Sequence, residues 1–177
     1  MRWRELEARQ PRLAELGKQK LGGPGVLLVA TVRADGSPRI SPVEPLFWEG
    51  DLWLGMSWRS WKARDLLRDP RVLVHSIVVS RSGEAGEFKA RGRATLETGA
   101  VEQGYAETVS AELGWNPVVG KFHLFRLEID EVTFIRWDDS TGDQYVTRWP
   151  PGEEYVRRAT SATSLGPPEP MADLLSG

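Results

Sequence analysis

The chain has 177 residues, 40% hydrophobic and 27% charged, with a formal net charge of -2. That length supports one domain burying about 70% of its unfolded surface, and the charge balance gives no basic excess for nucleic acid or an anionic membrane. The absence of cysteine excludes disulfides, thiol catalysis and thiolate-bound metal.

The opening MRWRELEARQ is too polar for a signal peptide, and the longest apolar run, Val26 to Val32, is too short to span a bilayer. The expected location is the cytoplasm. Residues 3 to about 20 predict one helix, with Trp3, Leu6, Leu13 and Leu16 on an apolar side. Gly22-Gly23-Pro24-Gly25 ends it. VLLVATVR (Val26 to Arg33) predicts an apolar strand, and the Asp35-Gly36 pair predicts a hairpin turn. PRISPVEPLF (Pro38 to Phe47) returns as a second strand. Its prolines, Pro38, Pro42 and Pro45, place it at an edge, a bulge or an interruption, because proline has no ladder donor.

Glu49-Gly50-Asp51 turns into a third strand, Leu52 to Met56. A short helix follows. Ser60 suits its N-cap, Ala63, Leu66 and Leu67 give an apolar stripe, and Asp69-Pro70 ends it. Arg71 to Val79 is a fourth strand, and Phe88 to Glu97 a fifth with Gly92 as a bulge or close-approach point. Val101, Tyr105, Val109 and Leu113 recur every four residues, which predicts a helix over 99–113. Lys121 to Trp137 reads as two strands or one bent strand, and Asp143 to Trp149 as the last. From Pro150 the chain is rich in Pro, Ser, Thr and Gly, so 150–177 is expected as a poorly ordered or partner-dependent tail beyond a single domain over 1–149. Strands joined mostly by hairpins predict a mostly β fold, a small antiparallel barrel with peripheral helices.

One stretch concentrates chemistry. A helix start carries unpaired N–H groups and partial positive charge. Ser57, Ser60 and Lys62 gather there, and Arg39 on the neighbouring strand has a fork suited to phosphate oxygens. The plainer alternative is a capped surface helix with a solvated lysine. Of eight tryptophans, Trp3, Trp48, Trp53, Trp115, Trp137 and Trp149 are read mainly as core mass. Trp58 and Trp61 flank the anion grip and could shield a planar ligand or pack on a second subunit. His75 and His123 each lie within a predicted strand and are read as structural. No metal-ligand spacing, Gly-x-Ser-x-Gly, Walker or Rossmann pattern is present.

The ordered set VATVRADGSPRISPV, LWLGM, SWRSWKARDLLRDPRVLVH and FKARGRATLE resembles the pyridoxamine 5'-phosphate oxidase-like split-barrel family, the flavin/deazaflavin oxidoreductases, over roughly residues 20 to 137. The resemblance implies a six-stranded antiparallel split barrel, a homodimer and two FMN sites at its interface. It implies that Arg39 contacts the flavin phosphate and that Ser41 and Val43 line the ribityl chain and ring. Met56 and Ser57 follow from the third strand, and Ser60, Trp61 and Lys62 close on the phosphate. Two departures stand out. The late Arg-x-His substrate motif is missing from DQYVTRWPPGEEYVRR, and Glu44 falls near the family's cofactor-binding lysine. Vitamin B6 oxidation is therefore not the expected reaction.

The leading expectation is an FMN-dependent oxidoreductase acting on a small organic substrate, since a flavin brings its own electron chemistry and needs no recognisable acid–base pair. A second keeps the fold and takes the deazaflavin coenzyme F-420, with Arg2, Arg4, Arg9 and Arg12 holding its longer anionic tail. A third is a non-catalytic flavin-binding protein. Haem-handling relatives exist, but no histidine-rich tail points to haem.

Overall fold

A computed structural model describes residues 1–172, 174 and 175 of the chain. Strand accounts for 44% and helix for 24%, so the class is mostly β, as the hairpin-rich sequence predicts. The first strands are β1 (Leu27–Val32), β2 (Pro38–Val43), β3 (Pro45–Trp48) and β4 (Asp51–Ser57). After them come β5 (Arg71–His75), β6 (Glu87–Glu97), β7 (Phe122–Trp137) and β8 (Gln144–Trp149). Neighbouring strands pair in the order β2–β1–β5–β6–β7–β4–β3, all antiparallel. The circuit closes because β3 continues β2 through Glu44. Counted with β2 and β3 as one interrupted strand, that barrel has six members.

The interruption follows from the prolines. Pro42 sits in a strand bonded only to β1, and Pro45 opens β3, so neither removes a donor from a central ladder. The Asp-Gly hairpin is also present. Gly36 adopts φ +83° and its N–H reaches the Arg33 carbonyl at 2.9 Å. Strand β7 is one continuous element rather than two. Its first residues pair with β4, most of its length with β6 and its end with β8. It bends where Asp130 is skipped opposite Gly92, and a Cβ on Gly92 would lie 1.9 Å from the Glu128 carbonyl oxygen. Only glycine admits that approach.

Three expectations change. The N-terminal helix is two, α1 (Trp3–Arg9) and α2 (Pro11–Gly22), because Pro11 starts a new first turn after Gln10 leaves helical geometry. Together they cap one end of the barrel with Trp3, Leu6, Leu13 and Leu21. Trp3 meets Phe47 edge-on at 4.7 Å. Strand β5 stops at His75, short of Val79. The Ser76 hydroxyl accepts the Phe88 N–H at 2.9 Å, taking the place of a ladder carbonyl. The third change is the tail. Residues 153–170 form a hairpin, β9 (Glu153–Ser161) and β10 (Ser164–Pro170), added to β8. Composition missed it because its order comes from ladder bonds and from Asp143, which accepts Ala159 N–H and an Arg158 nitrogen, each at 2.8 Å. Among the described residues the sheet therefore has ten strands. The last residues of the expected tail, Ser176 and Gly177, lie outside the described ones, as does Asp173.

Two further helices cover the barrel, α3 (Trp61–Arg68) and α4 (Ala100–Leu113). The stripe of α3 differs from the apolar reading. Ala63 and Leu66 are buried, but Leu67 is exposed and Asp65 takes the third buried position. Its carboxylate accepts Arg39 Nε at 2.7 Å and Thr31 Oγ1 at 2.9 Å. Burial alone would raise the Asp65 pKa. The Arg39 and Thr31 hydrogen bonds outweigh it, and the carboxyl titrates below the ordinary 3.8.

Two outcomes follow. Gly92→Ala forces the β6–β7 backbones apart and should lower unfolding free energy by about 3 kcal/mol, read from denaturant midpoints. Asp65→Asn should cost about 2–3 kcal/mol near neutrality. A depressed carboxylate contributes its stability above its ordinary pKa and loses it as pH falls through the folded value, so the gap between variant and wild type should hold above about pH 5 and narrow as pH falls through 3.8 and below.

Candidate functional site

Strand β4 ends at Ser57, and the chain reaches α3 through Trp58, Arg59 and Ser60. The Ser60 N–H bonds the Ser57 carbonyl at 3.1 Å, closing the turn. Arg59 sits at φ +58°, a left-handed conformation unusual for a residue with a Cβ. Ser60 occupies the N-cap position as the sequence predicts, and its carbonyl accepts the Arg64 N–H at 3.0 Å. Its hydroxyl does not cap the helix. That oxygen is buried and has no hydrogen-bond partner among the described residues. A buried hydroxyl without a partner is costly, so the start of α3 holds polar capacity that the protein itself does not use.

Beside this turn lies a cleft of about 320 Å³. One side is Pro42, Val43 and Glu44, where β2 passes into β3. The floor is Gly55, Met56 and Ser57 of β4, and Lys62 enters from the first turn of α3. The far wall is α4 and the residues after it: Tyr105, Val109, Leu113 and Trp115. Gly55 makes that wall possible. A Cβ there would lie 2.4 Å from the Tyr105 hydroxyl oxygen and 2.7 Å from the Trp115 ring. Burial drives the Tyr105 hydroxyl well above its ordinary pKa, opposed by a backbone hydrogen bond at Gly55 and reinforced by the Glu44 charge. It therefore stays protonated across the working pH range.

The eight residues singled out from the sequence divide in two. Val43, Met56, Ser57 and Lys62 line the cleft. Ser60 adjoins it through the turn. Lys62 has no ion-pair partner among the described residues. Ser41 shares its side of β2 with Arg39 and Val43 by strand alternation, but does not line the cleft. Trp61 is 67% exposed, with the Arg64 guanidinium 5.1 Å from its ring centre, and is also outside it. Arg39 differs most from expectation. Its Nε is held by Asp65, one turn along α3 from Lys62, rather than lying open to the cleft.

Sequence reasoning missed Glu44 and Gly55 as cleft residues, the whole α4 wall, and Asp65. The one available signal was Asp65 itself, an acidic residue between Ala63 and Leu66 on the helix side expected to be apolar. The arginines considered for a longer cofactor tail lie elsewhere. Arg2 makes a two-pronged bond to Asp51, at the opposite end of β4 from Ser57. Six residues of strand separate those ends, about 20 Å. A roomier hollow of about 440 Å³ between Ser80–Glu87 and Trp137–Gly142 contains no residue of the anion grip.

Comparison with known proteins agrees with the fold. A candidate pyridoxamine 5'-phosphate oxidase from Listeria innocua superposes with a TM-score of 0.56 at 17% identity, covering 69% of this chain and 94% of its own. A haem-binding protein from Mycobacterium smegmatis gives 0.54 at 20% identity, covering 75% and 57%. An F-420 reductase gives 0.52 at 16% identity, covering 65% and 94%. No curated protein matches at the sequence level. The family profile described as pyridoxamine 5'-phosphate oxidase matches residues 14–136, more than half of the chain and every strand of the closed barrel. The chain belongs to that family, with its split-barrel fold.

Proposed function

We propose that this protein is an FMN-binding oxidoreductase acting on a small organic substrate, and that it works as a homodimer. One observation carries the reading: the buried Ser60 hydroxyl, at a helix start, has no partner among the described residues and stands next to a cleft that contains a lysine likewise unpaired among them. Those groups suit a phosphate monoester. Ser57 and Ser60 would donate hydroxyl hydrogens, Lys62 would supply charge, and the first N–H groups of α3 would complete the cradle. Tyr105 and Trp115 offer an aromatic wall for a planar ring, with Val43 and Met56 beside it. A bound flavin would supply the hydride or electron chemistry. The protein's part is to fix the phosphate, orient the ring and keep water from one face.

FMN is favoured over the deazaflavin by charge. Coenzyme F-420 needs basic groups beyond the first phosphate, and Arg2, at the N-cap of α1 and paired with Asp51, lies at the far end of β4. Haem is bound by a protein of similar fold, but neither histidine of this chain lines the cleft. Glu44 puts a carboxylate where the vitamin B6 oxidases carry lysine, which argues for a different substrate.

The dimer reading rests on the outward face of β1 and β2. The outward residues of β1, Leu28, Ala30 and Val32, are apolar, and Ile40 on β2 is 67% exposed. A second copy would cover that face.

Purified protein loaded with FMN should be yellow, and FMN should raise its melting temperature. Lys62→Ala should weaken FMN about tenfold or more by fluorescence titration. A colourless protein that FMN does not stabilise would overturn the reading. Light scattering at micromolar concentration should give twice the chain mass, and Ile40→Asp should shift it toward one.

A further inference from the structure

The turn that carries Ser57 and Ser60 is held from outside by a residue of a different strand. His123 of β7 lies opposite Met56 in the β4–β7 register. Its Nε2 is 3.2 Å from the backbone nitrogen of Arg59. A backbone amide only donates, so Nε2 must be the acceptor and the neutral ring carries its proton on Nδ1. The ring stacks on Trp58 at 4.6 Å and 13°, so two successive turn residues are gripped by one side chain. Arg59 is the residue in the left-handed conformation. A strained residue persists only where its surroundings over-determine it, and the hydrogen bond from His123 bears directly on its amide.

We propose that His123 is a positioning residue that latches the Ser57–Ser60 turn in its anion-binding shape, and that protonation of His123 releases the latch. The proposal deepens the flavin reading above and rests on it for the identity of the anion. Protonated Nε2 would present an N–H to the Arg59 N–H, two donors facing each other. The Arg59 amide then loses the one partner it has among the described residues, and the contact that supports φ +58° goes with it.

The charges around the ring set the direction. Glu102 of α4, itself buried, attracts the imidazolium and also accepts the Gly120 N–H at 2.8 Å. Lys121 and the Arg59 guanidinium lie 5.9 Å and 5.7 Å from the Trp58 ring centre, so positive charge also stands beside the stack. Burial outweighs Glu102 and pushes the His123 pKa below its ordinary value. The latch is therefore closed at neutral pH and opens only on clear acidification. The sign for stability agrees: a histidine with a depressed folded pKa contributes above its unfolded value and loses that contribution as pH falls through the folded one.

Two substitutions separate acceptor from ring. His123→Gln keeps an acceptor near the Nε2 position and cannot titrate. His123→Phe keeps the ring for Trp58 and removes the acceptor. FMN affinity is measured for all three proteins at about pH 8 and about pH 5, with circular dichroism as the check on folding. The phosphate titrates near pH 6 in every protein, so the comparison is the ratio to His123→Gln. Wild type should equal His123→Gln at pH 8 and fall about tenfold below it at pH 5, and His123→Phe should be about tenfold weaker at both. A ratio that does not change with pH overturns the latch and leaves the flavin site standing.

Amide exchange of Arg59 in the ligand-free protein gives the second arm. Protection should drop on acidification in wild type, stay in His123→Gln and be missing throughout in His123→Phe. Equal protection in wild type and His123→Phe overturns the proposal without reference to any cofactor. If wild type binds no FMN at pH 8, the flavin reading fails and takes the anion half of this proposal with it, and the exchange arm alone decides the mechanical half.

Discussion

The Asp65 carboxylate is the contact on which the site geometry depends. It is 3% exposed, in the middle of a helix, and taking such a charge out of water costs several kcal/mol unless it is paired. Here it is paired by Arg39 from β2 and Thr31 from β1, two strands in direct register at those residues, and by Arg68 of its own helix at 3.6 Å. One carboxylate thus ties α3 to adjacent strands and sets how far its first turn stands from the barrel. The same pairing redistributes charge. Arg39 is partly neutralised by a fixed anion, whereas Lys62, one turn earlier, has no such partner. On the proposed reading, an incoming phosphate would meet a lysine, two hydroxyls and a helix start as its nearest groups, with the Arg39 charge held by Asp65. That division suits one phosphate better than a chain of several anionic groups.

Local sequence pattern reached as far as local forces decide the structure. The Asp35-Gly36 turn, the strand ends at Pro38 and Pro45, the start of α3 at Ser60 and the bulge at Gly92 each follow from the conformational limits of glycine, proline or a capping residue. Those limits act over a few positions and are visible in a few positions. What was not legible depends on partners far along the chain. Tyr105 and Trp115 become a cleft wall only because Gly55, fifty residues earlier, leaves room for them. The hairpin after Pro150 orders on ladder bonds to β8 and on Asp143, neither of which composition records. Arg39 stands beside α3 as expected, but its Asp65 partner was not legible, since residue type alone does not show that a buried aspartate holds the guanidinium.

Glu44 and Gly55 show how the same barrel can be directed to a different substrate without moving a strand. Glu44 stands at the break between β2 and β3, where no ladder bond fixes the side chain and where its charge reaches both the cleft and the Tyr105 hydroxyl. A lysine there would add to Lys62 and favour a second anionic group. A carboxylate leaves one anion-binding end and one end that repels anions, so the cleft becomes polar along its length. Tyr105, held neutral by burial, can donate to a ligand without competing for a proton. On the proposed reading, the combination would disfavour doubly anionic substrates while leaving the proposed phosphate end intact.

Strand β4 is where these separate contributions meet. Leu52, Leu54 and Met56 face the barrel core, packed with β1, β7 and the capping helices. Trp53, Gly55 and Ser57 alternate to the other side, where Trp53 joins Tyr105, Val109 and Phe122 in a second apolar cluster under α4. The two clusters share no residue, so α4 can settle on the outer face without disturbing the inner one. The cleft opens along the seam between them. Its floor is then as rigid as the barrel, because β4 is hydrogen-bonded on both sides by β3 and β7. Its far wall packs on the smaller cluster and is tied by the Tyr105 bond at Gly55 and by Glu102 to Gly120. A ligand that fills the seam gains a fixed surface for its phosphate and an adjustable one for its ring, and variation in α4 can alter ring and substrate fit while Ser57, Ser60 and Lys62 keep their spacing.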